Sequence, residues 1–186
     1  MKFIKIHFLS LLILLLTVSV LGQNIPLAEH PRPDFQRNEW QNLNGYWEFG
    51  FDSLNLGITG EWFDGERSFD KKILVPFPWG SNLSEVKDEA DIAWYKRGIK
   101  VNKLWKGKRT FLTIGASDWE TTVWLDGVLI GSHQGGYIPF SFEITDHIQY
   151  GQLQNLVIRV DDTRRDFALN LGSVVCLNDI QLRILL

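Results

Sequence analysis

Acidic residues are the first groups in this chain whose type and spacing could do chemistry. Glu85, Asp88, Glu89 and Asp91 fall close together, and Asp161-Asp162 form an adjacent pair. Paired carboxyls can serve as acid and base, or can hold a cation, when the fold fixes them a few ångströms apart. The first group lies in a stretch with lysines nearby and reads as solvated charge. It also lacks the alternating oxygen ligands and internal glycine of an EF-hand loop, so no calcium site is expected. His30, His133 and His147 occur in no H-x-x-H or H-E-x-x-H arrangement, which leaves no zinc signature. Ser132 and His133 are neighbours, but adjacency does not make a nucleophile and base, and no G-x-S-x-G elbow is present. No catalytic residue, metal or cofactor is therefore assigned.

The elements that would position such groups begin after a leader. Lys2, Lys5 and His7 precede a mainly apolar run from Phe8 to Leu16, and Val20 and Gly22 offer a small-residue cleavage site. Residues 1–22 are predicted to be a signal peptide, because the run is short for a bilayer and Gln23 stands where a lipoprotein would need cysteine. An exported chain, periplasmic or extracellular, with no membrane attachment after cleavage is expected. Without Lys2 and Lys5, 17 basic residues face 22 acidic ones, a balance that argues against nucleic acid. Cys176 is the one cysteine, so no internal disulfide staples the fold. Eight tryptophans and 13% aromatic residues suit either the space between two sheets or a surface on which sugar rings stack.

Period-two alternation recurs along the chain, interrupted by Gly, Asn, Asp and Pro, and predicts strands. Trp47, Phe49 and Phe51 share one face of a strand from Tyr46, and Lys71 to Val75 forms another that Pro76 closes. Ala93 to Val101, Arg109 to Ile114, Tyr137 to Ile144 and Leu156 to Val160 follow. Asp126-Gly127 between two β-rich runs predicts a tight type I′ hairpin. With few helices, the architecture expected is an all-β antiparallel sandwich of roughly eight strands, a jelly roll of the galactose-binding-domain kind.

Three ordered blocks then carry a resemblance. His30-Pro31-Arg32-Pro33 leads to Trp40-Gln41-Asn42-Leu43-Asn44-Gly45-Tyr46-Trp47-Glu48-Phe49. Ile73-Leu74-Val75-Pro76-Phe77-Pro78-Trp79 precedes Ala93-Trp94-Tyr95-Lys96-Arg97. Asp118-Trp119-Glu120-Thr121-Thr122-Val123-Trp124-Leu125-Asp126-Gly127 runs on to a Gly-rich segment between Gly131 and Phe140. Together they resemble the N-terminal domain of glycoside hydrolase family 2, the β-galactosidase and β-glucuronidase family. The resemblance implies a non-catalytic sandwich, residues 23–172, whose partners are carbohydrate and the remaining domains of the parent glycosidase. It also implies that the two catalytic glutamates lie on a later (β/α)₈ barrel, with no counterpart here. Sugar contacts, if this domain makes them, are expected from the loop after Pro76, with Trp79, and from Asp161, Asp162 and Arg164. A stand-alone carbohydrate-binding module is the alternative, and it requires an exposed aromatic platform.

The end departs from the family pattern. Residues 173–186 lack the expected Lys/Gln loop and Gly-Ile-Trp strand. Two expectations stand side by side: a frameshift or premature stop near residue 172, or a shortened domain in which Ile180, Leu182, Ile184 and Leu186 supply a substitute last strand.

Overall fold

The computed structural model describes residues 25–27, 39–163 and 178–185. The expected leader, Arg164 and Cys176 lie outside these residues. Among the described residues ten strands form two antiparallel sheets: β1 (Trp40–Asn42), β2 (Gly45–Phe51), β3 (Lys71–Val75), β4 (Ile92–Ile99), β5 (Arg109–Ala116), β6 (Glu120–Leu125), β7 (Val128–Gln134), β8 (Phe140–Glu143), β9 (Gln154–Asp161) and β10 (Asn178–Leu185). One sheet runs β1-β10-β5-β8 and the other β3-β2-β4-β9-β6-β7. This is the all-β antiparallel sandwich expected, with two strands more than the rough count of eight.

Both additions belong to the four-stranded sheet. β1 is three residues long, too short to show alternation. β10 is the substitute strand, and it pairs with β5 from Asn178↔Ala116 to Leu185↔Arg109 and with β1 on its other side. Ile180 and Leu182 are fully buried, because period two turns both toward the opposite sheet. The segment that follows Gly135-Gly136 becomes a strand only at Phe140, as Tyr137, Ile138 and Pro139 are exposed and Pro139 has no N–H to donate.

Aromatic rings fill the space between the sheets. Trp47, Phe49 and Tyr95 are at most 1% exposed and meet edge to face, with Phe49 and Tyr95 centroids 5.0 Å apart. Asp126 and Gly127 have φ of 47° and 77°, the two positive angles of a type I′ turn, and this turn fixes β6 against β7. A bulge between Val123 and Trp124 leaves one extra residue, Ile130, in β7.

The opposite face of the six-stranded sheet is covered as well. Trp94 of β4 and Trp124 of β6 stack at 5.4 Å, and Phe63 stacks on Trp124 at 5.5 Å, so the segment between β2 and β3 forms a second small core. Asp52 ties that segment down by accepting from Leu56 N, Gly57 N and Trp94 Nε1 at 2.8, 2.8 and 3.0 Å. Gly57 fits because a Cβ there would stand 2.5 Å from the Trp94 indole.

Candidate functional site

Strand register gathers the chemistry-bearing residues at one end of the sandwich. Ile92, Asp161, Glu120 and Gln134 lie in one row across β4, β9, β6 and β7. The turn at 117–119 and the link 135–139 flank that row, joined by a hydrogen bond from Gly135 N to Trp119 O at 2.8 Å. In the facing sheet the same end carries Ala116 opposite Asn178.

Asp161 closes β9. Its Oδ2 accepts from Arg159 Nη2 at 2.7 Å, and its Oδ1 accepts from Thr163 N at 3.0 Å. Burial pushes the carboxyl pKa up, but the hydrogen bonds from Thr163 and Arg159 and the Arg159 charge outweigh it and hold the group below its usual value. Arg159 also donates to Asn55 Oδ1 at 3.1 Å, which pins the covering segment to the strand. Asp162 is 4% exposed, and its N–H donates to Asp91 O at 2.7 Å. Among the expected sugar contacts, then, Asp161 and Asp162 do come together at this rim.

Trp79 does not join them. It is 6% exposed, with its ring 5.9 Å from Phe49, 6.1 Å from Phe51 and 6.2 Å from Tyr95. The loop after Pro76 folds back on itself through Phe77 N to Leu74 O and Gly80 N to Val86 O, at 3.0 and 2.8 Å, and this turns the indole into the core. Its ring face is occupied by neighbours and is not open to a sugar. The same holds across the composition: five tryptophans are buried, Trp40, Trp62 and Trp119 are half-buried, and none is exposed. Among the described residues the exposed tyrosine rings are Tyr46, at 44%, and Tyr137, at 91%.

The rim also contains groups that the sequence did not mark as a site. Asp118 packs against Gly136, where a Cβ would lie 2.7 Å from the carboxyl, and burial raises its pKa. Trp119 Nε1 and His133 Nε2 are buried without a hydrogen-bond partner, and His133 stacks on Phe140 at 4.0 Å. Glu120 Oε2 accepts from Gln134 Nε2 at 2.8 Å. In the sequence this corner showed only as the Asp118 to Gly127 block and the Gly-rich segment that follows Gly131, with no pattern that brings the two together.

The acids after Trp79 take surface partners instead. Glu85 Oε1 accepts the Tyr46 hydroxyl at 2.7 Å, raising that phenol's pKa, and Asp88 pairs with Lys71 at 2.6 Å. Among the described residues no cluster of three or more His, Cys, Asp or Glu side chains could hold a metal ion.

Residues 40–179 match the family described as "Glycosyl hydrolases family 2, sugar binding domain". A β-galactosidase of Thermoanaerobacter pseudethanolicus is 28% identical over 124 residues, 67% of this chain but 15% of that protein. A β-glucuronidase of Paenibacillus borealis is 28% identical over 150 residues, 78% of this chain and 25% of that protein. The chain thus spans a quarter or less of these relatives. Among solved structures, a Lactobacillus rhamnosus β-glucuronidase superposes with a TM-score of 0.67 at 24% identity, covering 79% of this chain and 28% of that one. A Ruminococcus gnavus β-glucuronidase gives 0.68 at 21%, covering 81% and 30%. These superpositions show a shared fold.

Proposed function

Because the chain belongs to the sugar-binding domain of the family 2 glycosyl hydrolases, we propose that it serves as the non-catalytic sugar-binding module of an exported glycosidase. The observation that carries this reading is the family match over residues 40–179, which takes in all of β1 to β9. The named relatives are a β-galactosidase and β-glucuronidases, so the ligand class is a β-linked hexopyranoside. Export is supported by the basic start and apolar run before Gln23. Cleavage in the parent enzyme is assigned to the part of those relatives that this chain does not span, since a fold without its reactive site performs no chemistry.

The rim supplies the physics of sugar binding. Tyr137 offers an exposed ring face on which the C–H side of a pyranose can stack, and Glu120 and Gln134 offer an acceptor and a donor for its hydroxyls. Asp161 and Asp162 hold the β9 end of that rim in place, and Arg164 follows them outside the described residues. Binding of the full chain to a glycan array tests the reading. Retention of β-galactosides or β-glucuronides, weakened by Tyr137→Ala, is the expected result; silence across all glycans would refute it.

A further inference from the structure

At the end of the sandwich opposite the rim, the chain crosses from β4 to β5 in a turn rich in cations and free of acids. Ile99 ends β4; Lys100, Lys103, Lys106 and Lys108 follow, and Arg109 opens β5. The turn is tightly wound. Asn102 Oδ1 accepts from Leu104 N at 3.0 Å, Trp105 N donates to Asn102 O at 3.0 Å, and Lys106 N donates to Lys103 O at 3.2 Å. Residues three apart eclipse in such a 3₁₀ turn, which sets Lys103 and Lys106 on one side with their Cα atoms within about 7 Å. Lys100 stands three residues earlier, within roughly 10 Å of Lys103 by chain reach. Trp105, 6% exposed, turns the other side into the core.

A second turn braces the first. Gly151 N donates to Val101 O at 2.8 Å, and the Lys103 stem fills the space over Gly151, where a Cβ would collide with Cε. Leu104 on the first turn is 78% exposed, and Leu153, which follows the second, is 73% exposed. Two of the cations are already paired, Lys108 with Glu39 and Arg109 with Glu143, the latter at 2.7 Å. Lys100, Lys103 and Lys106 are exposed, and their side chains form no hydrogen bond or ion pair among the described residues. Asp146, after β8, is exposed too, and Asp64 and Asp126 meet at the β6–β7 turn, two strands over from β4. The positive potential therefore belongs to the 100–108 turn, on a chain whose formal net charge is −3.

We propose that this turn docks on an anionic lipid surface, with the three lysines against the headgroups and Leu104 reaching below them. Charge complementarity asks for an anion, and the leucine set among the lysines selects lipid. A hydrated polyanion gains nothing from an exposed aliphatic side chain, whereas a bilayer removes it from water. The contact is peripheral and reversible, since three charges and a leucine fall well short of an anchor. β4 and β5 both run between this end and the rim, so docking here leaves the rim facing away from the bilayer. The inference stands apart from sugar binding and does not depend on it.

Co-sedimentation of the full chain at low salt tests this, comparing vesicles of phosphatidylglycerol and phosphatidylcholine in equal parts with vesicles of phosphatidylcholine alone. Binding to the anionic vesicles is expected to be roughly tenfold tighter or more, because each lysine near such a surface is worth about fivefold. The advantage fades as salt rises. The triple variant Lys100→Gln/Lys103→Gln/Lys106→Gln is expected to lose it, and Leu104→Ser to lose about threefold. All four side chains are exposed, so neither variant disturbs the core. The apolar run before Gln23 is common to every chain compared, and its contribution cancels. In the unmodified chain, amide hydrogen exchange over residues 103–107 is expected to slow on anionic vesicles and not on neutral ones, a readout independent of any variant. Equal binding to both vesicles, binding that survives the triple substitution, or unchanged exchange over 103–107 overturns the proposal. So does equally tight binding of dextran sulfate with Leu104→Ser without effect, which would make the turn a site for soluble polyanions.

Discussion

At the scale of single residues, the pair Arg159–Asp161 ties the rim to the segment that covers the sheet. Arg159 is a cation 7% exposed on a sheet face, and its charge is tolerable there because Asp161 faces it at 2.7 Å. Asp161→Asn is expected to destabilise the chain by about 1–3 kcal/mol at pH 7, measured by urea denaturation. The sign with pH follows from the lowered pKa. A carboxyl whose folded pKa is depressed contributes stability above its ordinary value of 3.8 and loses it as pH falls through the folded value, so the gap between parent and variant closes in acid. A gap that persists unchanged below that range would contradict the ion-pair account. Asp161 was legible as a candidate because it stands at a strand end next to a second acid. Trp79 shows the limit of such reading: loop residues carry no period, so nothing in Pro76-Phe77-Pro78-Trp79 tells whether the indole points inward.

At the scale of elements, β10 decides whether the four-stranded sheet is whole. It lies between β1 and β5, so its removal would leave both with unpaired backbone groups and uncover the apolar face they share. Leu182→Ala is expected to cost about 2–5 kcal/mol in urea denaturation, since its side chain is wholly buried between the sheets. A loss under half a kilocalorie would mean that β10 is not packed as described. The alternation of Ile180, Leu182 and Ile184 made this strand readable in outline, just as Asp126-Gly127 made the hairpin readable. β1 was not readable at three residues. Neither was the second core, because Trp62, Phe63 and Phe69 sit in a Gly-rich segment with no repeating period and reach the sheet only through contacts distant in sequence.

At the scale of the whole molecule, the sandwich class followed from period-two patterning, whereas strand order depends on pairings such as β2 with β4 and β1 with β10 that no local pattern encodes. What the assembled fold offers is an aromatic-filled body with a polar rim at one end. The glycosidase relatives extend far beyond the region matched, and the proposed function puts bond cleavage in that remainder and sugar binding in this domain. Titration of the full chain with nitrophenyl β-glucuronide and nitrophenyl β-galactoside, following tryptophan fluorescence and nitrophenol release in the same cuvette, tests that division most directly. A saturable fluorescence change with no nitrophenol is the predicted outcome. Release of nitrophenol that follows the protein through purification, or no response to either glycoside, would contradict it.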